Sequence, residues 1–134
     1  MIAEVEPIIK ITLAFVLSAI VGFEREVSLK PAGLRTHILV GLGSSLLTVL
    51  SIEAFPGADT SRVAASVIVG IGFLGAGTII KTKEKIVGLT TAATLWTIAS
   101  IGVAVGAGHY ILAIAATALA YLALKLSVFE KESS

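Results

Sequence analysis

The stretch Arg62–Trp96, RVAASVIVGIGFLGAGTIIKTKEKIVGLTTAATLW, decides how this chain folds. It opens with an apolar run carrying Ser66, Gly70, Gly72, Gly75, Ala76 and Gly77. Lys81, Lys83 and Lys85 follow around Glu84, and Gly88 then starts a second apolar run bearing Thr90, Thr91, Thr94 and Thr97. In a water-exposed helix each such glycine costs ~1 kcal/mol against alanine. In a bilayer the same glycines let helix backbones approach closely, and packing is what holds membrane helices together. The stretch therefore reads as two membrane-embedded segments joined by a short cytoplasmic loop, with Gly70, Gly72, Gly75 and Gly77 as the helix-packing surface.

Composition agrees. Of 134 residues, 56% are hydrophobic and only 14% charged, with a mean hydropathy of +1.00. A soluble domain would carry about 25% charged residues. The net charge of +1 gives no reason to expect a nucleic-acid partner, and the absence of cysteine excludes disulfides and thiolate metal sites. The N-terminal MIAEVEP is acidic and lacks the basic region of a signal peptide, so the first apolar run reads as a retained helix.

The expected architecture is all-α, a polytopic bundle of about five transmembrane helices. Helix 1 is expected from about Pro7 to Ser28, closed by Pro31. The second runs from about Leu34 to Ala54, before Pro56 and Gly57. The remaining three are expected over about Ser61–Ile80, Gly88–Val105 and His109–Val128. Each is near the ~20 residues that cross a hydrocarbon core. In the second helix His37, Gly41, Ser44, Thr48 and Ser51 recur at helical spacing and form one polar, small-residue face. Arg25, Lys30 and Arg35 in the first loop, Lys81, Lys83 and Lys85 in the third, and Lys125 and Lys131 near the end place the N-terminus outside and the C-terminus in the cytoplasm. Ile20-Val21-Gly22-Phe23 echoes Gly70-Ile71-Gly72-Phe73, and Gly33-Leu34-Arg35-Thr36 echoes Gly88-Leu89-Thr90-Thr91. Two readings stay open for this echo: a parallel repeat of helix hairpins, or chance in a Gly/Leu-rich chain.

Four segments in order, GFERE at 22–26, AGLRTHILVGLGS at 32–44, RVAASVIVGIGFLGAG at 62–77 and GLTTAATLW at 88–96, together resemble the membrane domain of the MgtC/SapB family of prokaryotic inner-membrane proteins. The resemblance implies a multi-pass protein of the cell membrane tied to magnesium or cation homeostasis or transport. The alternative it implies is a non-transporting regulator that binds another membrane complex, such as the ATP synthase. Many members carry a cytoplasmic domain after the last helix; residues 1–134 read as a single transmembrane domain without it. Thr90 stands where members often have asparagine.

The residues allow several sites. Glu24, Arg25, Glu26 and Arg35 form an inner charge cluster, expected either at the mouth of the bundle or as an interfacial salt bridge between Glu24 and Arg35. His37, Ser44, Thr48, Thr90, Thr94 and Thr97 supply polar helix faces, read mainly as hydroxyls bonding between helices rather than as an ion path. The weak candidates for Mg²⁺ are Glu24 and Glu26 at one end and Glu53 and Asp59 at the other. Mg²⁺ dehydrates reluctantly, which argues against a channel inside one protomer and leaves a pore between protomers open. No nucleophile–base pair or phosphate loop is present, so no enzyme activity and no cofactor beyond possible Mg²⁺ are expected. The expected partners are the lipid bilayer, further copies of the chain in a homo-oligomer, and another membrane protein complex.

Overall fold

The computed structural model describes residues 2–126, and 78% of it is helical. The elements are α1 (Ile2–Val27), α2 (Leu34–Glu53), α3 (Ser61–Gly77), a two-stranded hairpin of β1 (Ile80–Lys81) and β2 (Ile86–Val87), α4 (Leu89–Gly106) and α5 (Tyr110–Lys125). The five-helix bundle stands as expected. Three helices, α1, α2 and α4, are long and apolar enough to cross a membrane by length and composition; α3 and α5 are shorter apolar helices. Helix α1 begins before Pro7, which lies inside its second turn, past the amides that lack partners, and so removes one backbone hydrogen bond there. The segment from residue 78 to 88, expected as part helix and part loop, holds the β-hairpin instead. Expected features at Val128 and Lys131 lie outside the described residues.

The helices are arranged by close approach at small residues. A Cβ added to Gly22 of α1 would lie 2.9 Å from His37 Cβ and 3.1 Å from Leu34 Cα, so the end of α1 crosses the start of α2 nearly backbone to backbone. Ser18 Oγ fills the space over Gly41. On α4, Gly102 meets Ser44 and the Gly41 carbonyl, and Gly106 meets Thr48 Cβ at 2.7 Å and the Ser45 carbonyl at 2.8 Å. Contacts thus advance along α2 and α4 in the same sense, so these two helices run parallel. The α1–α2 loop and the β-hairpin consequently sit at one end of the bundle, and the α2–α3 loop at the other.

Two apolar clusters fill the remaining space. Ala14, Leu17 and Val21 of α1 pack with Ile98, Ile101 and Val105 of α4 and Ala113 and Leu124 of α5. A smaller cluster joins Ala32, Ile71, Leu95 and Ala99. Helix α3 is attached more sparsely than the others: its only buried residues are Ile71 and Gly75.

That placement corrects the expected packing surface. Of the four glycines assigned to it, only Gly75 meets a neighbour, Ala92 at 3.5 Å, while Gly70, Gly72 and Gly77 have nothing of this chain within 4 Å. The glycines that do bring helices together are Gly22, Gly41, Gly102 and Gly106. The sequence echo is matched in part: Gly33 and Gly88 both stand at the start of the following helix and are closely approached, whereas Gly22 is enclosed where its equivalent Gly72 is open.

Gly102→Ala should therefore destabilise the bundle by about 1–3 kcal/mol, the usual cost of overpacking. Gly72→Ala, made in open space, should be neutral or stabilising by up to ~1 kcal/mol through helix propensity. Thermal unfolding of both variants in detergent checks the contrast; equal destabilisation would contradict the assigned contacts.

Candidate functional site

The face of α2 bearing His37, Gly41, Ser44, Thr48 and Ser51 is wholly buried, together with Ser45. The helical spacing predicts this face, and α1 and α4 cover it. The hydroxyls, however, do not bond between helices as expected. Ser44 Oγ donates to the Gly41 carbonyl (3.2 Å) and Thr48 Oγ1 to the Ser44 carbonyl (2.7 Å). On α4, Thr94 Oγ1 donates to the Thr90 carbonyl (2.7 Å) and Thr97 Oγ1 to the Ala93 carbonyl (2.9 Å). Each hydroxyl satisfies itself within its own helix, so what it offers the neighbour is small volume. The exceptions lie at the bundle ends, where Ser51 Oγ donates to the Thr60 carbonyl and Thr78 Oγ1 reaches the Gly88 carbonyl as well as that of Gly75.

Thr90, Thr94 and Thr97 do share a face, and they line a cavity of about 470 Å³ between α4 and α5. Its other walls are aliphatic, among them Val21, Leu119 and Leu124. With the Thr94 and Thr97 protons already committed to carbonyls, those two hydroxyls add little polarity to this cavity. Thr91, absent from the expected set, is the more deeply buried hydroxyl of the segment.

At the opposite ends of α1 and α2 from the Ser51–Thr60 contact lies the charge cluster. Glu24 and Arg25 are both buried, at 6% and 3% exposure. Arg25 Nη1 contacts Glu24 Oε2 at 3.4 Å, and Ser28 Oγ donates to Glu24 Oε1 at 2.8 Å. The expected Glu24–Arg35 pair does not form: Arg35 is exposed, and Glu24 is taken by its own neighbours in the last turn of α1. Glu26 has a separate task. Its Oε2 accepts the Leu34 amide at 2.9 Å, so a carboxylate sits on the first free amide of α2, where the helix dipole favours negative charge.

His37 is fully buried, and its Nδ1 lies 2.8 Å from the Gly33 carbonyl. A carbonyl only accepts, so Nδ1 carries the proton. Nε2, Arg25 Nε, Ser18 Oγ and Ser45 Oγ are the buried side-chain atoms without a hydrogen-bond partner among the described residues. All four belong to the α1–α2 seam. Polar groups left this way cost stability, and their concentration in one seam marks it as the chemically distinctive part of the molecule.

The four candidate magnesium ligands remain apart. Glu24 and Glu26 stand at the hairpin end and are engaged as described; Glu53 and Asp59 are exposed at the other end. Asp59 accepts from Ser61 Oγ (2.6 Å) and the Ser61 amide (2.9 Å), and these bonds hold its carboxyl below the usual carboxylate range. A lowered folded-state pKa contributes stability above the ordinary carboxylate range that is lost as the pH falls through it. No three His, Cys, Asp or Glu side chains come together among the described residues.

Glu24→Gln strands the Arg25 guanidinium in a buried setting and should cost about 3–5 kcal/mol. Arg35→Ala, at an exposed position, should cost about 0–1 kcal/mol. Denaturation in detergent, with a Glu24→Gln/Arg25→Met double variant closing the cycle, measures both. Additive, near-neutral effects at residues 24 and 25 would show that the pair is hydrated.

The comparisons with known proteins bear on the whole of this arrangement. An Escherichia coli protein named "Putative magnesium transporter YhiD" is 43% identical over 129 residues, covering 90% of this chain and 60% of that protein. "Protein MgtC" of Brucella abortus is 47% identical over 95 residues, 71% of this chain and 40% of the relative. "Protein SapB" of Bacillus subtilis is 41% identical over 112 residues, 77% of this chain and 48% of the relative. This chain thus spans between two-fifths and three-fifths of the length of these relatives. No solved structure matches it. The family profile aligns with residues 11–131, which take in the Glu24–Arg25 pair, the polar face of α2 and the α4 threonines: the chain belongs to the MgtC family.

Proposed function

We propose that this protein serves magnesium homeostasis in a prokaryotic cell membrane, and that it acts by packing against other membrane helices rather than by conducting the ion through a single protomer. The magnesium link rests on family membership and on the name of the Escherichia coli relative. The mode of action rests on one observation. Gly70 and Gly77 of α3 share a helical face with Ser66, and a Cβ added at either would have no atom of another described element within 4 Å. A face of this composition is what a second membrane helix uses for close approach. Self-association and binding to a separate membrane complex both employ it. The polar seam of α2, by contrast, is closed to a hydrated cation by backbone-level contacts at Gly41, Gly102 and Gly106, and Mg²⁺ gives up its waters reluctantly.

Transport remains the second reading, favoured by the Escherichia coli relative's name; it would require a path between protomers. Mg²⁺ flux into liposomes holding only this protein, run beside cross-linking and affinity purification from native membranes, separates the two. The expected result is no flux, with a stoichiometric protein contact that Gly70→Leu abolishes without loss of thermal stability. Flux through the purified protein would overturn the non-conducting reading.

The cation-rich end of the bundle is assigned to the cytoplasm on the positive-inside rule. Cysteines placed at Lys83 and at Asp59 should then react with impermeant thiol reagents from the inside and the outside respectively; labelling of both from one side refutes the assignment.

A further inference from the structure

The β-hairpin between α3 and α4 has no role in the bundle's packing. Ile80 stands opposite Val87, and Lys81 opposite Ile86, in antiparallel register. The Thr82 amide donates to the Lys85 carbonyl at 2.9 Å, and the Lys85 amide to Thr82 Oγ1 at 3.2 Å, closing the turn. At the base, Gly88 adopts a positive φ of 89°, and a Cβ there would strike the Thr78 carbonyl, so the hairpin is fixed tightly to both helices. Beyond that base every residue is exposed. An isolated two-stranded hairpin is marginal in water and needs an apolar support. Among the described residues no other element covers Ile80, which is 60% exposed, or Ile86, which is 56% exposed.

The charge around it is one-sided. The turn carries Lys81, Lys83 and Lys85 against Glu84 alone. Lys30 and Arg35 are exposed at the same end of the bundle, and Lys125 lies 5.2 Å from the Tyr121 ring centroid there. Among the described residues of that end, Glu24 and Glu26 do not offset them, because Glu24 is occupied by Arg25 and Ser28, and Glu26 by the Leu34 amide. Exposed aliphatic side chains beside unopposed lysines, held where two membrane helices leave the bundle, match a surface that is both negatively charged and oily. A soluble acidic protein would answer the lysines but has no reason to cover Ile80 and Val87.

We propose that the Ile80–Val87 hairpin is a binding element for anionic phospholipid. Lys81, Lys83 and Lys85 engage headgroup phosphates, and the opposed pair Ile80 and Val87, which shares one face of the hairpin, rests against the first acyl carbons, which supply the support the hairpin lacks. Each lysine near an anionic surface contributes on the order of a fivefold preference, and three together on the order of a hundredfold. The inference does not depend on the magnesium reading, since it uses none of the residues on which that reading rests.

The test uses the full chain in detergent, titrated with phosphatidylglycerol or phosphatidylcholine. Bound lipid is counted by native mass spectrometry, and thermal stability is followed in parallel. Phosphatidylglycerol should bind and stabilise, phosphatidylcholine should not, and added salt should weaken the effect. K81Q/K83Q/K85Q should lose the preference by on the order of a hundredfold, whereas K81R/K83R/K85R should keep it. Lys83→Glu, a single change at the exposed tip, serves if the triple variant unfolds, and Arg62→Gln, at the other end of the bundle, should change nothing. Equal binding of both lipids, or equal phosphatidylglycerol binding by wild type and K81Q/K83Q/K85Q, overturns the proposal. So does stabilisation by inorganic phosphate to the same degree, or lysine-dependent capture of a soluble acidic protein without any lipid preference.

Discussion

The structure depends on the close approach of α1, α2 and α4 along one seam. Helices in hydrocarbon gain nothing from excluding lipid, so they hold together only where backbones come near enough for dense contact. Here that happens at Gly22 against His37, at Gly41 against Ser18, and at Gly102 and Gly106 against Ser44, Ser45 and Thr48. Everything else is arranged around these contacts. They make α2 and α4 parallel, which brings both cationic loops to one end. They also bury the polar face of α2, where Ser44 and Thr48 find their acceptors within their own helix.

The same seam explains why the charge cluster is where it is. Gly22 draws the end of α1 onto the start of α2, and Glu24, Arg25 and His37 are carried into the protein with it. Burial of ionisable groups is costly unless they are paired and hydrogen-bonded. Glu24 is well supplied, by Ser28 and Arg25, whereas the Arg25 guanidinium has one long contact and an unpartnered Nε. The stress of the arrangement is thus concentrated on Arg25 and His37. Glu26, two residues on, escapes burial and instead fixes the first amide of α2, so three consecutive charged residues do three different jobs.

Much of this was legible in the residues. The helical spacing of His37, Gly41, Ser44, Thr48 and Ser51 marks one polar face turned to protein or water, and the structure turns it to protein. The five apolar runs and their breakers place the helices to within a few residues. Density of glycine points to α3, but the packing glycines lie elsewhere, beside a small residue four positions away: Ser18 and Gly22 on α1, Gly41 and Ser45 on α2, and Gly102 and Gly106 on α4. Ser66 and Gly70 of α3 have the same spacing and stay open, so spacing alone does not select the packed faces. Each pair puts two small residues on one side of its helix. The Glu24–Arg35 pairing failed for a different reason. Loop length shows that two residues can meet, but not that Ser28 and Arg25, already beside Glu24 on the same helix, will be preferred.

Helix α3 is the element whose place the rest of the chain decides least. It is tied near its N-terminal end by Ser51 to Thr60 and at its C-terminal end by Thr78 to Gly88 and by Gly75 against Ala92. Between the ties it stands off from α2 across an apolar groove of about 590 Å³ that includes Gly43, Ser66 and Gly70. Ser66 Oγ and Ser44 Oγ, the groove's serine hydroxyls, are already bonded to carbonyls of their own helices. Acyl chains can therefore fill the groove without stranding a polar group, and its emptiness within one protomer costs little. The glycines make a different argument. Three of them lower the helix propensity of α3 by ~1 kcal/mol each and recover nothing inside the chain. A lipid-facing helix could carry alanine or leucine at those positions at no cost, so the glycines have a physical purpose only where another backbone lies against them. This is why the small-residue face of α3, with Ser66 and Gly70 on the groove and Gly77 beyond it, carries the weight of the proposed association.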